Sequence, residues 1–258
     1  MRISILGSGS SGNLTFIDCE GTKLLIDAGF SCKKIEEKLK EIGENLENID
    51  GILVTHEHGD HIMGAGIASR KYDIPIYIAE ESYRAAEHKF GKLSPGNLIF
   101  IDGKFTVGDG VLVTPFDVLH DAERTLGYRI EIPGGKAIAI ATDIGYADNG
   151  VKEHFKDIDL MVIECNYDYH MLMESAYPWD LKARVKGRNG HLSNNDAAKL
   201  IRDVYSERLK KAFLVHVSKD SNKYSLAVDT VRKELSENKI DLELEVATQN
   251  EVTSVWEY

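Results

Sequence analysis

Between residues 53 and 64 the chain reads LVTHEHGDHIMG, which sets His56, His58, Asp60 and His61 within six positions. Neutral imidazole nitrogens and a carboxylate are ligands for Zn²⁺, Mn²⁺ or Fe. The cluster follows GILVT, an apolar run that reads as a buried strand. His56 and His58 alternate at the end of that strand and can point one way, whereas Asp60 and His61 on the following turn can face a second position nearby. Two or three ligands do not complete a four- or five-coordinate ion, so others must come from distant segments. His120 after VTPFDVL, Asp143 after AIAIAT and His216 after KAFLV each follow an apolar run, which is where an α/β scaffold presents site residues. Any one of them alone reads as a capping or packed polar residue. Together with residues 56–61 they read as one site.

The elements that must position these residues are readable in outline. RISILGS, GNLTFIDC and TKLLIDAG are predicted as successive antiparallel strands split by Gly turns. SCKKIEEKLKEIG carries Ile35, Leu39 and Ile42 on one helical face, with Gly43 as the stop. The strand IDGILVT, a helix over 63–71, the strand IPIYIAE and the helix ESYRAAEHKF follow. NLIFID, KFTVGDGVLVTPFDV, TLGYRIEI and KAIAIATD read as short strands, DLMVIEC as a buried one. SNNDAAKLIRDVYSERL is predicted as a helix capped by Ser193, with Asp196 three residues on. The strand AFLVHV, the helix SLAVDTVRKELSEN and the strand LELEVAT complete one expected α/β domain over 1–258.

Composition narrows the function classes. With 258 residues, 43% hydrophobic and 28% charged, the chain can bury a substantial core, and disordered or collagen-like readings drop out. No apolar run approaches the roughly 20 residues of a membrane span, and MRISILGSGSSGN lacks the apolar length of a signal peptide. Cys19, Cys32 and Cys165 form no CxxC pair and fit reduced thiols of a cytoplasmic protein. The net charge of −11 argues against a protein whose whole surface binds nucleic acid, but not against a local basic patch. GSGSSG, with Gly7, Gly9 and Gly12, matches a dinucleotide fingerprint, and Asp27 lies downstream. That motif needs a helix directly after it, and the β-rich NLTFIDCEGTKLLID follows instead. A Gly/Ser turn between strands is the better reading, with small residues able to line the site.

THEHGDH with an upstream LLIDAG and the later His, Asp and His resembles the metallo-β-lactamase superfamily, in an order that runs from Asp27 to His216. The resemblance implies an α/β fold, the αββα sandwich, with two divalent ions (Zn, Mn or Fe) along one edge. It implies one ion on His56, His58 and His120, a second on Asp60, His61 and His216, Asp143 bridging them, and Asp27 orienting the cluster from behind. Such a two-metal site activates a water between its ions.

The superfamily covers several ester chemistries, so the fold alone decides little. ECNYD and YPWDLKARVKGRNGHLSNNDAAKL resemble the YycJ/WalJ group, which implies an exonuclease acting 5′ to 3′ on DNA, with RNA as the other nucleic acid open to it; Asp60 and His191 are the candidate catalytic residues. GHLSNNDAA and VHVSKD are also similar to segments of RNase Z. Lys182, Arg184, Lys186 and Arg188 form an acid-free basic run leading to His191, suited to a phosphate backbone. His191 is a candidate general acid, and its role and that of His216 could be exchanged; His216 is preferred as the ligand because it ends an apolar strand. Ser193 and Asn194 are candidate contacts to a terminal phosphate at a helix start, beside Lys186 and Arg188. Tyr167 and Tyr169 could stack a base; His88, His154 and His170 read as surface or packing residues. Only 72 residues separate Asp143 from His216, which leaves no room for a β-CASP insert. The alternatives are a hydrolase of small esters, thioesters, lactones or phosphodiesters, and a metal-binding regulatory protein without activity.

Overall fold

The computed structural model describes residues 1–258. Six strands open the chain: β1 (Arg2–Gly7), β2 (Leu14–Cys19), β3 (Thr22–Ile26), β4 (Gly51–Leu53), β5 (Ile76–Ile78) and β6 (Leu98–Phe100). They form one sheet, antiparallel from β1 to β3 and parallel from β3 to β6. A second sheet follows in β7 (Phe105–Val107), β8 (Val111–Val118), β9 (Thr125–Glu131), β10 (Ala137–Ala141), β11 (Leu160–Glu164), β12 (Lys211–Val215) and β13 (Glu243–Val246). It is antiparallel from β7 to β10 and parallel from β10 to β13. A last strand, β14 (Trp256–Glu257), returns to pair with β1 in the first sheet.

Period-two side-chain alternation makes each sheet two-faced. On β10, Ile138 and Ile140 join the buried cluster that also holds Ile3, Ile5, Ile17, Tyr128 and Phe213, drawn from both sheets. The sheets therefore pack face to face. Ala139 and Ala141 point the other way, into a cluster with residues of α5 (Asn149–His154), α8 (Asn194–Val204) and α9 (Tyr224–Glu237). Small alanines there let those helices approach closely. On the first sheet, Leu25, Ile52 and Ile76 pack against α1 (Cys32–Glu41), α3 (Ala65–Tyr72) and α4 (Glu80–Phe90). Helix, sheet, sheet and helix layers give the expected αββα sandwich. No helix is long and apolar enough to cross a membrane.

The sequence reading and the structure part at several points. The helix expected over 63–71 forms as α3, and a separate short helix, α2 (Gly59–Ile62), that the sequence reading did not anticipate precedes it inside the histidine loop. The helix expected to reach Leu209 stops at Val204, where Tyr205 turns extended and packs its ring on the core. The basic run, read as a strip, is split: Lys182 and Arg184 lie on α7 (Trp179–Val185), which Pro178 precedes, Lys186 and Arg188 lie beyond its end, and a short α6 (Tyr169–Glu174) comes before it. The two-residue β14 is too short to carry a periodic signal.

The inter-sheet core sets the stability of this arrangement. Phe213 is fully buried within it, so Phe213→Ala is expected to destabilise the protein by about 3–5 kcal/mol. Ile67→Ala, at a site that is 50% exposed, is expected to change stability by no more than about 0.5 kcal/mol. Urea unfolding followed by tryptophan emission checks both.

Candidate active site

Strand ends from both sheets converge on one edge. Asp27 follows β3, His56 lies just beyond β4, and His58 caps the short α2 that carries Asp60 and His61. From the second sheet come His120 after β8, Asp143 after β10, Glu164 at the end of β11 and His216 after β12. Parallel register sets the last three side by side, with Ala141 opposite Ile163 and Glu164 opposite Val215. Asp27, Asp143 and His216 all adopt positive φ, at 61°, 52° and 53°. Non-glycine residues seldom do so, and Asp and His are among those that tolerate it best. The sharp turn lets each side chain leave its strand toward the shared edge.

Three imidazoles have a rear nitrogen occupied by a protein acceptor. His61 Nδ1 lies 2.7 Å from Asp27 Oδ2. His56 Nδ1 is 3.0 Å from Thr55 Oγ1, which in turn donates to Asp27. His120 Nδ1 is 3.1 Å from the Gly190 carbonyl. With those protons committed, each Nε2 presents a lone pair to the site, the arrangement that orients imidazoles toward a cation. His56 Nε2 and His58 Nδ1 are only 3.0 Å apart. His61 Nε2 faces Asp60 Oδ2 at 3.4 Å and Asp143 Oδ2 at 3.1 Å. A lone pair aimed at two carboxylates repels them unless positive charge lies between. Asp143 Oδ2 is buried without a well-formed hydrogen bond, although its residue touches His61, His120, His191 and His216. Two donor groups can hold metal around it: His56, His58 and His120 on one side, and Asp143, Glu164, His191 and His216 on the other, while His56, His61 and Asp143 form a third set between them.

Protonation behaviour shows the same demand for positive charge. Burial alone would lower the affinity of His61 for a proton, but Asp27 and Asp143 overcome it and hold its pKa well above the usual value. Burial likewise opposes a proton on His191, and the Glu164 carboxylate outweighs it, pushing the pKa up to about 9. His216 is raised in the same way by Asp143 and Glu164. His56 and His58, which lack a contacting carboxylate, are lowered by burial.

Glu164 is the residue that sequence reasoning missed. It is fully buried, and its Oε1 accepts from His191 Nδ1 at 2.8 Å and His216 Nδ1 at 2.7 Å. Its Oε2 accepts from the backbone N–H groups of Ile144 and Leu192, which tie the Asp143 and His191 turns together. The available signal was a carboxylate ending the apolar strand LMVIE. Asn13 was also missed: its Nδ2 lies 3.0 Å from His61 Nε2 and 3.3 Å from Asp60 Oδ2. The Gly/Ser turn does border the site, since Ser8 Oγ accepts from the His216 backbone N–H.

Other candidates are corrected. Ser193 is buried, and its hydroxyl caps α8 by accepting from the Asp196 N–H and donating to the Asp196 carboxylate. Asn194 points inward to Asn222 and Cys165. Neither side chain is free to meet a phosphate. Within the basic run, Lys182 is buried against the Met173 carbonyl and the exposed Arg184 pairs with Asp121, which leaves Lys186 and Arg188 as the exposed cations without a carboxylate partner. Tyr167 is buried, whereas Tyr169 and His170 are exposed. His154 stacks on Phe116.

The histidine loop is held from below by backbone as well as by Asp27. Asn13 N–H donates to the Asp60 carbonyl and Ala28 N–H to that of His61. A Cβ on Gly29 would meet the Asp60 carbonyl oxygen at 1.7 Å, so only glycine fits there. Asp27→Ala removes the partner of both Thr55 and His61, and is expected to weaken metal retention by roughly 10- to 100-fold. His170→Ala, exposed on α6, should leave retention unchanged. Chelator competition measures both.

Comparison with known proteins agrees with this geometry. The beta-lactamase superfamily domain matches residues 22–217. The chain is 38% identical over 242 residues to the exodeoxyribonuclease YycJ of Bacillus anthracis, covering 92% of this chain and 90% of that one. It is 38% identical over 239 residues to the exodeoxyribonuclease WalJ of Streptococcus pneumoniae serotype 2 (strain D39), covering 92% and 88%. The metallo-beta-lactamase fold protein YhfI from Bacillus subtilis superposes with a TM-score of 0.71 at 18% identity, over 98% of this chain and 99% of that one. The chain belongs to the metallo-β-lactamase superfamily, among relatives of the YycJ and WalJ kind.

Proposed function

We propose that the protein is a metal-dependent exodeoxyribonuclease that removes nucleotides from DNA in the 5′ to 3′ direction. The observation that carries this reading is the position of His191. It is the one-fifth-exposed member of the group it forms with the buried Asp143, Glu164 and His216, and it follows Lys186 and Arg188, exposed cations that pair with no carboxylate. Phosphate affinity and proton donation thus come from one short segment. The names of the two relatives above support DNA as the substrate.

The donor set fits two divalent ions. Asp27, Asp60, Asp143 and Glu164 bring four carboxylates into the site and its immediate support, with Asp121 beside His120, a surplus of negative charge that divalent ions would offset. On this reading His56, His58 and His120 would hold one ion and Asp60, His61 and His216 the other, with Asp143 available to both; Zn, Mn or Fe would suit these donors. Such ions supply a water of lowered pKa and neutralise charge on the phosphoryl oxygens. The chain's own groups do the rest. Asp60, partly open to solvent, accepts a proton from the attacking water. Asp143, held among four imidazoles, keeps the two halves of the site in register. Glu164 keeps His191 protonated, and His191 gives that proton to the leaving 3′-oxygen. Lys186 and Arg188 bind the backbone phosphates that flank the scissile one. The three buried free cysteines support a cytoplasmic location, with the chain as one domain over 1–258.

A second reading, hydrolysis of a small ester, thioester, lactone or phosphodiester, is favoured by the narrowness of the cavity beside His191 and His216. That cavity holds about 130 Å³ and is edged by Ser10, Tyr177, Ser218 and Lys219.

The deciding experiment uses end-labelled DNA with 5′-phosphate or 5′-hydroxyl ends and added Mn²⁺ or Zn²⁺. Progressive shortening from the 5′ end is expected, abolished by chelator. Asp143→Ala and His191→Ala should each lower the rate by at least about 100-fold, the contribution of a lost acid–base group or more. Hydrolysis of small esters without any action on DNA would select the second reading.

A further inference from the structure

Three large aromatic side chains stand in water on one face of the molecule: Tyr146 is 51% exposed, Tyr169 47% and Trp179 63%. Single exposed aromatics need no explanation, but each of these pairs with a cation from one short segment. The Arg188 guanidinium lies 5.3 Å from the centre of the Tyr146 ring. Lys186 Nζ lies 5.5 Å from that of Trp179 and 6.0 Å from that of Tyr169. Lys186, Arg188 and Tyr146 also wall a cavity of about 580 Å³ with Lys199, large enough for a nucleotide.

This face is fastened to the site. Tyr146 is three residues beyond Asp143 and Arg188 three before His191, a span of at most about 11 Å of chain. The two turns touch: a Cβ on Gly145 would fall 2.3 Å from the Arg188 carbonyl oxygen. Gly190, in turn, holds His120 through its carbonyl. Aromatic rings beside cations that pair with no carboxylate, on segments that lead directly into the site, suit a polymer with a flat face and a phosphate at every repeat. Duplex DNA hides its base faces by stacking them on each other, whereas an unpaired strand offers them.

We propose that Tyr146, Tyr169 and Trp179, together with Lys186 and Arg188, form a stacking platform for unpaired nucleotides, so that the enzyme takes its DNA end as a single strand. The inference rests on the nuclease reading and adds the form of the substrate to it. Each ring takes a base on its face while the neighbouring cation meets the adjoining phosphate. Blunt duplex ends, which offer no free base face along this surface, engage the cations alone.

Binding is measured by fluorescence anisotropy of a labelled 12-nucleotide single strand and of a blunt duplex of the same length, with EDTA present to stop turnover. The unchanged protein is expected to bind the single strand more tightly. Tyr146→Ala and Trp179→Ala should each weaken single-strand binding by about ten-fold, within the range known for one lost base stack, and leave duplex binding unaltered. Tyr146→Phe and Trp179→Phe should restore it, because a ring face is what the platform supplies. Trp179 emission should be quenched by an unlabelled single strand. Unchanged single-strand binding in both alanine variants, or equal weakening toward both DNA forms, overturns the platform while leaving DNA cleavage by the unchanged protein intact. A protein that neither binds nor cuts DNA overturns the nuclease reading with it.

Discussion

The Asp27 carboxylate is the interaction on which the site depends. It accepts from the Thr55 backbone N–H at 2.8 Å, from the Thr55 hydroxyl and from His61 Nδ1. One buried anion thereby sets where β4 ends, how the histidine loop leaves it and which nitrogen of His61 faces the site. Such a group is costly to bury unless fully paired, and here every contact it makes is with an element of the site. The turn after it completes the clamp, since the missing side chain of Gly29 lets the Asp60 carbonyl sit against the backbone.

Glu164 performs the matching task on the second sheet. It joins the turns that follow β10 and β12 and the turn before α8 through two imidazoles and two backbone N–H groups. The two sheets thus contribute similar devices, a buried carboxylate behind histidines, facing each other across Asp143. Face-to-face packing of the sheets fixes the distance between these halves. Stability in the inter-sheet core and geometry at the edge are consequences of one arrangement, because the same strands that bury Ile138, Ile140 and Phe213 end at the site.

What could be read from the sequence follows from how local each feature is. The cluster at residues 56–61 declares itself because one short loop carries it, and His120, Asp143 and His216 stand out as polar residues directly after apolar runs. Strand and helix periodicity shows one α/β domain, whereas its layering as an αββα sandwich came from the family resemblance; at GSGSSG the strand that follows excludes a dinucleotide turn. Glu164 escaped because its importance comes from parallel pairing of β11 with β10 and β12, which spacing does not reveal. Ser193 caps α8 as its sequence context indicates, but the side chains of Ser193 and Asn194 are not placed for a phosphate, because a helix start shows no direction in sequence and here it faces the interior. Lys182 looked like part of a basic strip, but α7 turns it under the surface to the Met173 carbonyl. The aromatic partners of Lys186 and Arg188 come from three separate segments, and only the folded chain brings them together.

The central proposal is that Asp60, Asp143 and five imidazoles at this edge, supported by Asp27 and Glu164, hold two divalent ions per chain. Native mass spectrometry of the protein after loading with Mn²⁺ or Zn²⁺ and removal of excess metal counts them directly. Two ions per chain, both lost when Asp143 is replaced by alanine, is the result expected. A protein that retains one ion or none with every donor intact would contradict the claim.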